Sequence, residues 1–326
     1  MILTRDIGID LGTENTVICD RRGRIIIREP SVVAVDVKSR RVLATGDRAK
    51  EMIGRTPGSI VAIKPLREGV IADFDMTADM LHSFIFGASK ASMFARTRAV
   101  VTVPSGVTEV ERRAVEDAAR SAGIQEVELI EEPMAAALGA GLPVYDATGS
   151  MVVDIGGGTC DIAVISLGGI AARKSVKIAG NALNEAIINY LKKNHNLLIG
   201  DVTAEDIKLK IGSVAAYDGE GAMEVRGRNL TDGLPKAVEV TSEQIREVLL
   251  EPVSEIITAI RETLEVTLPE LAADIIDRGI YLTGGTALLK GLAELISKET
   301  KMQVHIPENP MEAVAIGTAM KLRRAR

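Results

Sequence analysis

Two short segments of this chain join a carboxylate to a glycine turn and a threonine: Asp10-Leu-Gly-Thr-Glu-Asn-Thr16 and Asp154-Ile-Gly-Gly-Gly-Thr-Cys-Asp161. A third glycine turn lies at Leu282-Thr-Gly-Gly-Thr286. In the first two, an apolar strand ends in aspartate, turns through glycine into threonine and re-enters an apolar strand. Glycine puts no side chain in the way, so backbone N–H groups can close on phosphate oxygens. Gly12 and Thr13 provide this in one segment, and Gly156, Gly157, Gly158 and Thr159 in the other. Thr13, Asn15 and Thr159 add neutral donors. Asp10 and Asp154 would repel each other if brought together alone. A Mg²⁺ between them, held mostly through water, removes that conflict. A polyphosphate with its divalent metal uses every one of these groups. One such turn reads equally well as a β-turn with an aspartate cap, but the duplication favours two related lobes facing a shared nucleotide.

Glu132 is the candidate for chemistry. It ends a strand just before a helix, which carries it to the active edge of a sheet, where a carboxylate can orient water for attack on a γ-phosphate. A helix N-cap is the competing role, and Glu131 is the lesser candidate. Gly284 and Gly285 allow a nucleoside to approach the backbone, with Thr286, Ala287 and Leu288 opening the next helix. Glu205 and Lys208 share one helical face three residues apart, suited either to adenine and ribose or to a solvated ion pair. The expected contact set also takes in Glu14, Gly180, Asp206 and Ile207. The chain has no G-x-x-x-x-G-K-[ST] loop and no G-x-G-x-x-G after a strand, so Walker and Rossmann readings fail. His82, His195 and His305 form no metal-ligand pattern.

These residues need strands to carry them. Apolar runs predict strands at Ile7–Leu11, Thr16–Asp20, Arg24–Arg28 and Val32–Val37, then a small irregular module from Val42 to about Arg67 with a short helix near Ala49–Ile53. Helical spacing covers Asp75–Ala91, and strands follow at Ala99–Val103 and Val127–Ile130. Thr108 and Glu111 form a capping box for a helix ending near Gly123. Pro133 suits a first helical turn, followed by the small-sided Met134-Ala-Ala-Ala137. Asp146-Ala-Thr-Gly149 reads as an interlobe linker. The scheme then repeats, with strands at Met151–Asp154, Asp161–Ile165 and Ala172–Ile178, a helix after Gly180-Asn181, and a mixed insertion from about Leu197 to Val240. Apolar spacing makes Ser242–Leu264 helical, with Pro252 expected to start a new segment. Strand Ile280–Thr283, helix Ala287–Lys298, strand Val304–Ile306 and helix Met311–Arg323 complete the pattern. It is an α/β chain with pseudo-symmetric lobes, ligands belonging at the carboxyl ends of the strands.

Bulk properties bound the function. At 326 residues the chain can build two cores, and its formal charge of −6 argues against nucleic acid as a partner. Cys19 and Cys160 are far apart in strand-like segments, which fits reduced thiols in a cytoplasmic protein. No signal peptide or bilayer-spanning run is expected.

Asp10-Leu-Gly-Thr13 and Asp154-Ile-Gly-Gly-Gly-Thr159 resemble the two phosphate motifs of the actin, heat-shock chaperone and sugar kinase superfamily, and Thr283-Gly-Gly285 resembles its adenosine motif. Glu131-Glu-Pro-Met-Ala-Ala-Ala137 and Glu312-Ala-Val-Ala-Ile-Gly317 resemble its connecting helices. More narrowly, Gly69-Val-Ile-Ala-Asp73, Pro104 with Val110-Glu-Arg-Arg113, Gly233-Leu-Pro235 and Asp274-Ile-Ile-Asp-Arg-Gly279 are similar to the MreB family of bacterial actins. The similarity runs from Asp6 to about Lys321. It implies two actin-like lobes with ribonuclease H-like cores and four subdomains around a nucleotide cleft. Lobe I would span 1–145, with an insertion at about 33–67 and the C-terminal helix 311–326 returning to it. Lobe II would span 146–310, with an insertion at about 182–241.

The resemblance further implies ATP with Mg²⁺ on Asp10 and Asp154, and slow hydrolysis coupled to self-assembly into filaments. Glu132 takes the place of the water-positioning glutamate, with Thr159, Asp10 and Asp154 beside it, and Glu205 and Lys208 match the adenosine-contacting pair. It implies attachment to lipid at the inner face of the cell membrane and work with membrane-bound cell-wall elongation proteins in keeping rod shape. Met93 and Phe94, in Ser92-Met-Phe-Ala95 with basic neighbours, resemble the family's apolar lipid loop; a core-facing helix end is the other reading. Cys160 stands where the family usually has threonine, Asn181 and Asn184 where many relatives have aspartate, and Thr286 where a third glycine is commoner. The alternatives are a non-polymerising ATP-binding adaptor, a chaperone, for which no substrate domain follows Arg326, and a small-molecule kinase, for which no base stands out.

Overall fold

Aspartate and glycine punctuate two stretches of aliphatic sequence, and each stretch folds into a sheet of the same plan. The computed structural model describes residues 4–87 and 96–324. The first sheet has the spatial order Glu126–Glu131, Arg96–Val103, Thr4–Leu11, Asn15–Asp20, Ile25–Pro30. The second runs Val304–His305, Ile280–Thr283, Ser150–Ile155, Cys160–Ser166, Gly169–Val176. In both, three consecutive strands form an antiparallel meander, and two later strands add in parallel beside the first. Asp10 and Asp154 therefore hold equivalent places near the carboxyl ends of the two central strands.

Aromatic residues make up only 2 % of the chain, so the cores are aliphatic. Ser150–Ile155 is buried at all six positions, as expected of a strand covered on both faces. Ile7, Ile9, Met80, Leu81 and Val101 belong to the core of the first sheet, and Val153, Ile162, Leu183, Ile207 and Ile256 to that of the second. A third cluster takes Val100 from one sheet and Val152 and Ile165 from the other, with Ala135, Ala136, Ala137 and Val314 between them. Those last residues lie on the helices Glu132–Gly139 and Ala313–Arg324, which meet at their backbones. A Cβ on Gly317 would sit 1.8 Å from the Ala135 carbonyl oxygen, and one on Gly139 1.8 Å from that of Ala313. The same C-terminal helix seats on the first sheet, where a Cβ on Gly8 would sit 1.9 Å from Thr318 Oγ1.

Two smaller sheets are inserted, one of Val33–Asp36, Val42–Thr45 and Ile60–Ile63, the other of Leu197–Leu198, Ala222–Asn229 and Pro235–Thr241. The helix Asp201–Ile211 accompanies the second.

Some expectations change. Pro252 does not start a new segment: one helix runs Ser242–Glu265 through it. Leu249, Val253, Ile256 and Ile260 all enter one core, and that shared burial offsets the hydrogen bond proline cannot make. The helix expected from Ala287 is divided into a 3₁₀ turn, Gly285–Leu288, and a helix, Leu292–Thr300. Gly291 between them is left-handed at φ 80°, and a Cβ there would meet Ala215 Cβ at 2.6 Å. The Pro269–Arg278 helix was not anticipated as an element. The helix expected over Asp75–Ala91 covers Phe74–Phe86, and Met93 and Phe94 lie outside the described residues. No helix among the described residues is long and apolar enough to cross a membrane.

Candidate functional site

The two glycine hairpins meet. A Cβ placed on Gly158 would lie 2.6 Å from Thr13 Oγ1, and one on Gly157 would lie 2.1 Å from Glu14 Cγ. Only glycine lets the turns approach this closely. They open on one cavity of about 460 Å³, lined by Asp10, Gly12, Thr13, Glu14 and Asn15 from one side and by Asp154, Gly156, Gly157, Gly158 and Thr159 from the other.

Hydrogen bonds hold each turn in shape. In the first, Ser31 Oγ donates to the Gly12 carbonyl at 2.6 Å, and Gly69 N–H donates to Thr13 Oγ1 at 2.9 Å. In the second, Gly156 N–H reaches the Thr159 carbonyl at 3.0 Å. The N–H groups of Gly180 and Asn181, at the start of the helix Gly180–His195, donate to the carbonyls of Gly156 and Gly157 at 3.1 and 2.8 Å. Thr286 Oγ1 donates to the Gly156 carbonyl at 2.9 Å, which ties the third glycine turn to the second. The hairpin carbonyls are thus directed to the protein side, an arrangement that favours anion-facing N–H groups.

Deep in the cleft, carboxyl groups crowd together. The Asp10 carboxyl is pushed up to about 7, first by burial and then by Asp154, against a hydrogen bond from Thr102. Asp154 is also raised to about 7, by burial and by Asp161, although Thr283 Oγ1 donates to its Oδ1 at 2.7 Å. Glu132 is 7 % exposed and lines the same cavity. Burial, then Asp161, Asp10 and Asp154, raise its carboxyl well above the ordinary value. The helix it begins has Glu131 at the N-cap position without a side-chain cap bond, and Glu132 is the acidic residue of its first turn, where the helix dipole favours a carboxylate. Glu131 instead pairs with Arg173 at 3.0 Å and accepts from Ser105 Oγ at 3.1 Å.

A divalent cation fits this donor set. Asp10 and Asp154 are hard oxygen ligands whose mutual repulsion it would relieve. Among the described residues, no group of three or more His, Cys, Asp or Glu is placed to hold a metal by itself. A Mg²⁺ here would draw its remaining ligands from water and phosphate.

At the other end of the cleft, Lys208 Nζ lies 2.8 Å from Glu205 Oε2 and donates to the Gly180 carbonyl at 3.0 Å. Asn184 Nδ2 donates to Glu205 Oε2 at 2.7 Å. Despite burial, which opposes it, Lys208 and Asn184 hold the Glu205 carboxylate below its ordinary value. Gly180, Gly284, Gly285, Thr286 and Leu288 line this end as well.

Three expected residues do not line the cleft. Asp206 turns outward to Lys210 at 2.7 Å, while Ile207 and Ala287 are core residues, 0 % and 1 % exposed. The helical period explains the first two: Glu205 and Lys208 share a face that the residues between them do not. Cys160 also points into the core, at 0 % exposure. Lys64, Gly69 and Asn184 line the cleft without having been expected as site residues. Lys64 belongs to no local motif. Asn184 repeats Gly180 at one helical turn, a signal the sequence did carry.

A family model described as MreB/Mbl protein matches residues 4–326. The cell shape-determining protein Mbl of Bacillus subtilis (strain 168) is 48% identical over 321 residues, covering 98% of this chain and 96% of that protein. The cell shape-determining protein MreB of Escherichia coli (strain K12) is 50% identical over 321 residues, covering 97% of this chain and 92% of that protein. A crystal structure of MreB5 of Spiroplasma citri bound to ADP superposes with a TM-score of 0.93 at 37% identity, over 99% of this chain and 96% of that one. The fold is actin-like, and the chain belongs to the MreB/Mbl family.

Proposed function

We propose that this chain is an ATP-dependent, filament-forming cell-shape protein that works at the inner face of the cell membrane and organises wall synthesis. The observation that carries the reading is the meeting of two duplicated hairpins, each with its aspartate, on one cavity. Relatives named cell shape-determining proteins, and MreB5 of Spiroplasma citri crystallised with ADP and with AMPPNP, support it. In this reading 1–145 with 311–326 form one lobe and 146–310 the other, with insertions at about 33–67 and 182–241.

The hairpin N–H groups of Gly12–Asn15 and Gly156–Thr159 take the phosphates, and Glu205, Lys208 and the Gly284–Thr286 turn take the nucleoside. Asp10 and Asp154 would hold Mg²⁺, which would neutralise charge on the phosphates. Glu132 orients the attacking water, supported by Thr159, and slow hydrolysis is coupled to assembly. Burial, then Asp161, Asp10 and Asp154, raise the basicity of the Glu132 carboxylate. Copies of the chain associate with one another, and lipid is met through Met93 and Phe94. Repetition along a filament makes such a weak anchor effective.

Sedimentation of the purified chain with ATP and Mg²⁺ tests the reading. Pelleting that requires ATP supports it, and a monomer that stays soluble at high concentration contradicts assembly.

A further inference from the structure

We propose that Lys64 is a phosphate-binding residue and that Glu14 competes with the nucleotide for its ammonium group. This rests on the nucleotide reading above. Lys64 directly follows the strand Ile60–Ile63 of the first inserted sheet and lines the cleft. Its Nζ pairs with Glu14 Oε1. Glu14 belongs to the first hairpin but lies across the second: its Cγ and Cβ would be 2.1 and 2.9 Å from a Cβ on Gly157. The Glu14 stem therefore covers the middle glycine of the phosphate turn. The ion pair sits at the mouth of both hairpins, and its side chains are 29% and 33% exposed.

A triphosphate entering this cleft meets Asp10, Asp154 and Glu132 and requires cations to balance them. Of the other cations of the lining, Lys50 acts on Glu205 at the far end of the cleft, and three more are held by protein groups. Arg28 is paired with Glu312, Lys208 with Glu205 and the Gly180 carbonyl, and Lys290 with the Lys210 carbonyl. Lys64 is held by a carboxylate beside the glycine N–H groups. A phosphate chain carries more charge than that carboxylate and offers more acceptor oxygens, so it replaces Glu14 as partner. Moving Glu14 aside also uncovers Gly157. The exchange ties the inserted sheet, through Lys64, to occupancy of the phosphate site.

The test is ATP affinity, by calorimetry with Mg²⁺, of the full chain and of Lys64→Met, Lys64→Arg and Glu14→Gln, with melting curves to verify folding. Lys64→Met should weaken ATP binding about tenfold, as expected for loss of one charge-assisted hydrogen bond at a partly exposed site. Lys64→Arg should recover most of it, and Glu14→Gln should bind ATP at least as tightly as the unaltered chain. Unchanged affinity in a folded Lys64→Met would overturn the assignment. Equal weakening in Lys64→Met and Glu14→Gln would do so too, because the pair would then only brace the hairpin. Failure of the unaltered chain to bind ATP would overturn the nucleotide reading itself, and this proposal with it.

Discussion

Asp154→Asn should make the protein more stable in the absence of metal while abolishing its use of Mg²⁺. Asp154 is 6 % exposed and its carboxyl is raised from 3.8 to about 7. A carboxyl raised in the folded state binds its proton more tightly there than in the unfolded chain. Its contribution to stability is complete below about pH 4 and is lost as pH rises through about 7. A shift of about three units is worth about 4 kcal/mol. Roughly 2–3 kcal/mol of that loss falls between pH 5 and pH 8. Asparagine cannot ionise, yet it keeps an oxygen to accept the Thr283 hydroxyl, so it escapes the loss without breaking the local hydrogen bond. It also removes the charge that, after burial, raises Asp10. Urea unfolding in EDTA should therefore show the variant gaining on the unaltered chain by roughly 2–3 kcal/mol from pH 5 to pH 8. Calorimetry at pH 8 should show its Mg²⁺-dependent ATP binding lost. A variant less stable than the unaltered chain at pH 8, or a stability difference that ignores pH, would refute the view that these carboxylates are forced together for a cation.

Two further outcomes follow from the structure, and a third from the sequence. Glu132→Gln should keep ATP affinity within about twofold and lower the hydrolysis rate about 100-fold; an unchanged rate in a phosphate-release assay would remove Glu132 from the water-positioning role. Gly317→Ala forces a methyl group to within 1.8 Å of the Ala135 carbonyl, so the crossing helices must separate at a cost of about 2–3 kcal/mol. A melting temperature equal to that of the unaltered chain would show that the crossing is looser than described. Met93→Ser combined with Phe94→Ser should abolish co-sedimentation with anionic liposomes and leave ATP binding intact; undiminished co-sedimentation rejects this loop as the anchor.

The parts of the fold that follow from local chemistry could be read in the sequence. Asp10 and Asp154 end apolar runs, glycines follow them, and Thr108 with Glu111 forms the expected capping box. The duplication of one turn was enough to anticipate two sheets of one plan. What could not be read depends on distant packing. Pro252 has the local character of a break, and only the core beneath it keeps the helix continuous. Gly291 ends a turn because Ala215, far away in sequence, lies against it. Ile207 and Ala287 were expected in the site because they neighbour site residues, whereas the helical period and the core turn them away. Lys64 reaches the glycine hairpins through the docking of an inserted sheet, and no short motif encodes that docking.

The proposed function stands or falls on whether the segments Asp10–Asn15 and Asp154–Thr159 close on a single triphosphate. A crystal structure of this chain grown with AMPPNP and Mg²⁺ tests it most directly. Phosphate oxygens should lie between Gly12–Thr13 and Gly156–Gly158, with the metal's water shell touching Asp10 and Asp154. Phosphates seated anywhere else, or a metal remote from both aspartates, would contradict it.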